Sequence, residues 1–449
     1  MRTLAEWLTR QESVHPKTID MGLARVSSVA RALGVDKPAC PVITVAGTNG
    51  KGSTVVHLDA FLRAGGASAG MFTSPHFLRY NERIRVNGVD VGDDEIVSAF
   101  ERIERARGTT TLTFFEFNAL AAFIIFADRQ VDVAVLEVGL GGRLDAVNLV
   151  DADVSVVCSV GLDHRDYLGD TLDLIGAEKA GIFRAFQPAV LGTDDMPASV
   201  YGVIASLKAQ PVVAGRDFTW QLNATRGDGG GARWDYNGLV NGVSGLRLAL
   251  LDLPPSALAG SIQYRNASTA LAAIESLRAV SLSPGKRNVP ALELNERTVS
   301  EALRGVRLAG RFQVVQRPGS AEWILDIAHN EPAAAIFAGH VRERPMPSPE
   351  SGRTYAVVGI LGDKDAKSIA RALEPFVDHW ILCALPGPRG TSAEHLAERL
   401  QLPATKVTLA TSVEAGCEVA RKSTGEGDRV LVFGSFYTVG PVLQWLGIY

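Results

Sequence analysis

Short apolar runs rich in β-branched residues alternate with longer stretches of helical periodicity along most of the chain. Val42-Ile-Thr-Val-Ala46 reads as a buried strand. Ala69–Phe72, Val131–Leu136 and Val154–Cys158 repeat the pattern, and the spacing between them predicts helices over Asp93–Arg107 and Glu116–Asp128. Runs that are apolar throughout, rather than alternating, belong to a sheet covered on both faces. The first half therefore predicts a P-loop-type α/β domain on a mostly parallel sheet. Between about 217 and 253 the texture changes: Trp220-Gln-Leu222 and Trp234-Asp-Tyr236 read as a small antiparallel β section with a mobile tip at Gly227–Gly231. Ile262–Val280 returns to helix, and Ser283-Pro-Gly-Lys-Arg-Asn-Val-Pro-Ala291 has the prolines and glycine of a linker. Beyond it, strand runs at Trp323–Ile327, Tyr355–Ile360, His379–Leu385 and Arg429–Phe433 alternate with helical segments. The expected organisation is a larger domain over 1–282, a linker over 283–296 and a smaller α/β domain over 297–449.

Composition adds mainly exclusions. A chain of 449 residues, 46% hydrophobic and 21% charged, has the make-up of a globular protein with more than one core. A formal charge of −4 supplies no electrostatic footprint for nucleic acid. Cys40, Cys158, Cys383 and Cys417 are scattered, so neither a zinc knuckle nor a disulfide framework is expected. The segment Met1–Arg10 is amphipathic with Glu6 inside it, unlike a secretory signal, and the longest apolar stretch, Ala119–Ala127, is too short to cross a bilayer. The expectation is a cytoplasmic protein without nucleic-acid or membrane partners.

The chemistry gathers at the ends of the strand runs. After Ala46 come Gly47-Thr-Asn-Gly-Lys-Gly-Ser53, then a helical pattern. Glycines let backbone N–H groups face an anion, a helix N-terminus adds partial positive charge, and Lys51 adds a full one. This is a phosphate cradle, although the spacing departs from G-x-x-x-x-G-K-[ST] because Gly52 separates Lys51 from Ser53. Ser74, in Thr73-Ser-Pro-His76, offers a hydroxyl after the second strand run. Glu137 closes an apolar strand where a lone carboxylate is costly to bury, a good place to hold Mg²⁺ through oxygen. The glycines of Val138-Gly-Leu-Gly-Gly-Arg-Leu-Asp145 would let a ligand approach, with Arg143 and Asp145 as side-chain contacts. His164 ends a third run, Lys179 lies in an apolar helical context, and Asp326, His329 and Asn330 follow a strand of the second domain, with Arg311 just upstream. Two domains with polar strand ends suggest a cleft that closes.

Read together and in order, Ala46-Gly-Thr-Asn-Gly-Lys-Gly-Ser53, Thr73-Ser-Pro-His76, Asn81-Glu-Arg-Ile84, Glu137-Val-Gly-Leu-Gly-Gly-Arg-Leu-Asp145, Leu162-Asp-His164, Glu178-Lys-Ala-Gly-Ile182 and Asp326-Ile-Ala-His-Asn330 resemble the dihydrofolate synthase/folylpolyglutamate synthase family of the Mur ligase superfamily. The resemblance runs from about residue 20 to the C-terminus. It implies an ATP-dependent amide ligase that phosphorylates a substrate carboxylate and lets the amine of L-glutamate attack the acyl phosphate. By the same resemblance Thr48, Asn49, Gly50, Lys51, Gly52, Ser53, Asn266, Arg311 and Asp326 bind ATP, while Lys51, Lys179 and His329 serve the chemistry. Ser74 and Glu137 would hold one of two Mg²⁺ ions, His164 the other, with Lys179 carbamylated between them. Thr113, Phe114, Phe115 and Glu116 together with Leu144, Asp145 and Ala146 would form the pterin-side pocket. Gly141–Ala146 and Leu162–Gly169 look like the bifunctional type, taking both dihydropteroate and a reduced folate, and a monomer is expected. The rivals are a folylpolyglutamate synthase alone, a cell-wall Mur ligase and a non-catalytic nucleotide-binding module. The Mur ligase is disfavoured because only about forty residues precede the cradle. Against the regulatory module, Ser74, Glu137, His164 and Lys179 are all in place.

Overall fold

The computed structural model describes residues 2–17, 19–223, 232–239, 248–282, 285 and 287–449. The Gly227–Gly231 tip, and Ser283, Pro284 and Lys286 of the expected linker, lie outside them. The chain forms two compact units, Met1–Ala257 with Gln263–Arg307, and Leu258–Ile262 with Leu308–Tyr449. Residues 287–296 thus belong to the first unit, and the division falls at Arg307–Leu308 instead of within 283–296. The reason is the helix Glu296–Gly305, which packs on the helix Lys51–Ala64, while Glu293 N–H donates to Gly65 O at 3.0 Å just ahead of it.

In the first unit the strands are β1 (Val42–Ala46), β2 (Ala69–Phe72), β3 (Ile84–Val86), β4 (Val89–Asp90), β5 (Val133–Glu137), β6 (Val154–Val157), β7 (Pro188–Leu191) and β8 (Gln210–Val213). They make one sheet in the order β4-β3-β2-β5-β1-β6-β7-β8, parallel from β2 to β8, with the β3–β4 hairpin antiparallel at the edge. β1, β2, β5, β6 and β7 are buried at every position, as apolar runs in a doubly covered sheet must be. Register aligns their ends: Val45 lies opposite Glu137, Ala46 opposite Val157, and Phe72 opposite Leu136. Gly47, Thr73, Glu137 and Cys158 therefore leave the sheet at one level of its carboxyl edge, where ligands of parallel sheets bind.

The helix Asp93–Arg107 begins with Asp93, Asp94 and Glu95 and ends with Arg105 and Arg107, charges that suit its dipole. The helix Phe114–Asp128 starts two residues earlier than the apolar pattern predicts, because Thr113 caps it. The antiparallel section is β9 (Thr219–Asn223), β10 (Arg233–Asn237) and β11 (Ala249–Leu253), in the order β11-β10-β9. The second unit carries β12 (Gln313–Val315), β13 (Glu322–Leu325), β14 (Thr354–Val358), β15 (His379–Cys383), β16 (Val407–Ala410) and β17 (Arg429–Phe433). Their order is β12-β13-β17-β14-β15-β16, with only β12 antiparallel, over a core that includes Phe337, Trp380 and Phe433.

Candidate active site

The turn after β1 has Gly47 at φ 153° and Gly50 at φ 90°, conformations that favour glycine. A Cβ on Gly50 would stand 3.1 Å from Asn266 Oδ1, and one on Gly47 3.1 Å from Cys158 Cβ, so the turn is boxed in by β6 and by the helix Ile262–Ser281. Thr48 N–H donates to Ser159 O at 2.8 Å, Thr48 Oγ1 donates to Gly161 O at 3.0 Å and accepts from Gly161 N–H at 2.9 Å. Thr48 is thus engaged in tying the cradle to the loop after β6. Lys51 Nζ donates to Gly47 O at 2.9 Å and Thr48 O at 3.4 Å, holding its ammonium over the turn. Ser53 is buried in the first turn of the helix Lys51–Ala64, and Asn266 Nδ2 donates to Gln263 Oε1 at 3.1 Å.

On the β5 side, the buried Glu137 accepts from Ser74 N–H at 3.2 Å, which brings the hydroxyl-bearing loop after β2 onto the carboxylate at the end of β5. That loop is held by residues the site reading leaves out. Glu82 accepts from the N–H groups of Phe77, Leu78 and Arg79 at 2.7, 2.8 and 2.6 Å, and Arg83 Nε donates to His76 Nδ1 at 2.7 Å. The Arg83 guanidinium also lies over the rings of Tyr80 and Phe114, 5.9 and 5.4 Å from their centroids. The signal for these residues was the Asn81-Glu-Arg-Ile84 motif, which serves as the brace of Thr73-Ser-Pro-His76.

The loop after β5 corrects one expectation. A Cβ on Gly139 would meet the Phe115 ring at 2.6 Å, and one on Gly142 would meet Glu178 O at 2.8 Å and Lys179 O at 2.9 Å. These glycines admit neighbouring parts of the protein, not a ligand. Arg143 pairs with Glu178 at 2.7 Å, and Asp145 accepts from Leu140 N–H at 2.9 Å and Val147 N–H at 3.0 Å, closing the turn that carries Leu144 and Ala146. Burial pushes Asp145 up to about 6. Thr113 and Glu116 form a reciprocal cap at 2.7 and 3.2 Å, with Arg25 on Glu116 at 3.2 Å. In the same segment the rings of Phe114 and Phe115 are half-buried.

His164 sits in the left-handed region at φ 51°, its N–H donating to Asp163 Oδ1 at 2.8 Å. Lys179, in the last turn of the helix Leu172–Ala180, is only 4% exposed. Its amine makes no hydrogen bond or ion pair among the described residues. Burial, and then the Lys51 charge, push it down to about 7, with Asp163 opposing. Asp163 is thus a charge at this edge that the sequence reading passed over within Leu162-Asp-His164. Among the described residues no three His, Cys, Asp or Glu side chains converge as a metal centre.

In the second unit, the half-buried Asp326 accepts from Phe312 N–H and Ala328 N–H, both at 2.9 Å, and desolvation raises its pKa against the pull of Arg311. His329 Nδ1 lies 2.8 Å from Ile327 O, and Arg311 stands over the Phe436 ring at 5.8 Å. Asn330 caps the helix Glu331–Glu343. The fold thus brings Lys51, Ser74, Glu137, Lys179 and Asn266 to one edge of the first unit, and gathers Arg311, Asp326 and His329 in the second.

Family models for the Mur ligase middle domain and the Mur ligase glutamate ligase domain match residues 45–214 and 310–436. A dihydrofolate synthase/folylpolyglutamate synthase of Escherichia coli (strain K12) is 40% identical over 441 residues, 98% of this chain and 95% of that protein. The Haemophilus influenzae protein of the same name is 37% identical, covering 97% and 96%. Among solved structures, the E. coli protein in complex with DHPP and ADP superposes with a TM-score of 0.86 at 40% identity, over 99% of this chain and 98% of that one. A bifunctional folylpolyglutamate synthase/dihydrofolate synthase with Mn, AMPPNP and L-glutamate bound gives 0.85 at 37%, over 100% and 99%. No helix among the described residues is long and apolar enough to cross a membrane.

Proposed function

The chain belongs to the dihydrofolate synthase/folylpolyglutamate synthase family of ATP-dependent ligases, and from that membership we propose that it joins L-glutamate both to dihydropteroate and to reduced folates. The observation that carries this reading is the glycine cradle with Lys51 over it, flanked by Asn266 on one side and by Glu137 with Ser74 on the other. In our reading ATP lies on the backbone N–H groups of the cradle, with Asn266, Arg311 and Asp326 as further contacts. Lys51 leaves its two carbonyl acceptors for the phosphates and meets the charge that builds on the transferred phosphoryl group. The substrate carboxylate takes that group, ADP leaves, and the glutamate amine displaces phosphate from the acyl phosphate, with His329 helping to hold the reacting ends.

The donors at the β5 edge fit a hard cation: one buried carboxylate, Glu137, and the adjoining Ser74 loop supply oxygen, and phosphate would supply more. Ser74 and Glu137 would hold one Mg²⁺, and His164 with carbamylated Lys179 a second. Bound there, Mg²⁺ offsets triphosphate charge and polarises the transferred phosphoryl. Phe114 and Phe115, with Leu144 and Ala146, line the proposed pterin side, while Thr113, Glu116 and Asp145 act by holding the backbone beneath it.

Phosphate release in the presence of ATP and glutamate tests the proposal. Dihydropteroate and tetrahydrofolate should both support it, and a UDP-muramoyl peptide should not. Release with tetrahydrofolate alone would refute bifunctionality, and release with the muramoyl peptide alone would refute the substrate class.

A further inference from the structure

One cation at the nucleotide edge has no task in the reaction described. Arg265 occupies the first turn of the helix Ile262–Ser281, next to Asn266, and the Asn266–Gly50 approach seats that turn against the cradle. Its side chain is half-buried. It lies within electrostatic reach of the Cys158 thiol and the Asp195 carboxylate, and burial lowers its pKa from the usual guanidinium range. Among the described residues its guanidinium makes no hydrogen bond, ion pair or ring contact. A fork of five donors and a flat cationic face is left for something other than this protein.

The ground next to it is closely packed backbone. Cys158, just past β6, is approached by three glycines: a Cβ on Gly47 or Gly50 would stand 3.1 or 3.4 Å from Cys158 Cβ, and one on Gly192 would stand 2.6 Å from Cys158 O. The carboxyl ends of β1, β6 and β7 thus meet in a patch of close backbone packing around Cys158. It is bordered by Arg265 and by the amides of Gln263 and Asn266. The direction follows from strand order. Glu137 and Ser74 stand at the ends of β5 and β2, on one side of β1, and β6 and β7 lie on the other. A triphosphate running over the cradle towards β5 leaves its nucleoside over β6 and β7.

We propose that Arg265 contacts the nucleoside of bound ATP, its guanidinium plane against the base, as a positioning and specificity residue for the nucleotide. This rests on the ligase reading above. Stacking of a guanidinium on a ring is available to arginine and not to lysine in the same form.

Calorimetric titration of the full chain with ADP and with inorganic tripolyphosphate tests it, comparing wild type with Arg265→Ala and Arg265→Lys. Arg265→Ala should weaken ADP about tenfold and leave tripolyphosphate unchanged. Arg265→Lys should recover only part of the loss. In turnover, KM for ATP should rise while KM for glutamate stays put, and the thermal midpoint should hold, because no protein partner is lost. Equal ADP affinity in wild type and Arg265→Ala overturns the proposal, as does an equal loss with tripolyphosphate, which would mark a phosphate contact. A wild-type chain that binds no ADP would overturn the ligase reading itself, a result distinct from either.

Discussion

Lys179 shows how one residue can be legible by type and opaque by reason. The motif Glu178-Lys-Ala-Gly-Ile182 singles it out, but only burial explains it: an ammonium 4% exposed, with no partner among the described residues and Lys51 repelling it. Burial and that neighbour bring it down to about 7, so near neutral pH much of it is the free amine. A free amine adds CO₂ and releases a proton, giving a carbamate whose negative charge reverses the repulsion from Lys51 and adds oxygen donors. We expect ¹³C-bicarbonate to yield a carbamate resonance that is absent from Lys179→Ala. That variant should be nearly inactive and partly rescued by a short carboxylic acid. Full activity in Lys179→Arg would exclude the carbamate, since a guanidinium cannot form it. Other residues were legible by type and took another role: Thr113 and Glu116 cap a helix, and Asp145 closes a turn.

At the scale of elements, the loop after β2 depends on the turn Tyr80–Arg83 that follows it. Thr73 N–H donates to Arg83 O at 2.9 Å, Glu82 takes the N–H groups of Phe77, Leu78 and Arg79, and Arg83 holds His76. Arg83 can only donate, so His76 Nδ1 is the acceptor and the ring proton sits on Nε2. Charge-assisted bonds of this kind are each worth about 1.5–3 kcal/mol, and their loss is not additive. Glu82→Ala should therefore lower stability by about 3 kcal/mol and speed amide exchange at 77–79 before the strands open. Turnover should fall with it, because Ser74 loses its placement. Unchanged exchange at 77–79 would show that the loop is held elsewhere. The strand runs were read to the residue at Val42–Ala46, Ala69–Phe72 and Arg429–Phe433, and ends elsewhere moved by one or two residues where caps and register decide them.

For the whole molecule, His57 couples stability to pH. It is fully buried in the helix Lys51–Ala64, with Nδ1 donating to Ser53 O at 2.7 Å and Nε2 accepting from Ser256 Oγ at 2.9 Å. Burial pushes it down to about 4 from an ordinary 6.5. The folded value lies below the unfolded one, so its contribution is complete above pH 6.5 and is lost as pH falls towards 4. The loss is on the order of 3 kcal/mol. His57→Leu should be less stable at pH 7, yet lose less than the wild type between pH 7 and 4.5. Parallel unfolding curves for the two proteins would remove His57 from the account. What the sequence by itself determined was whatever contiguous residues carry: the α/β rhythm, the glycine–lysine cradle, the ordered motifs and the family they resemble. Tertiary structure alone decided which of those residues face a site. Asn266 reaches Gly50, Phe115 fills the space over Gly139, Asp163 stands near Lys179, and the helix Glu296–Gly305 joins the first unit. Each depends on which strand lies beside which in the order β2-β5-β1-β6-β7. That order comes from pairing between distant segments, and local periodicity does not encode it.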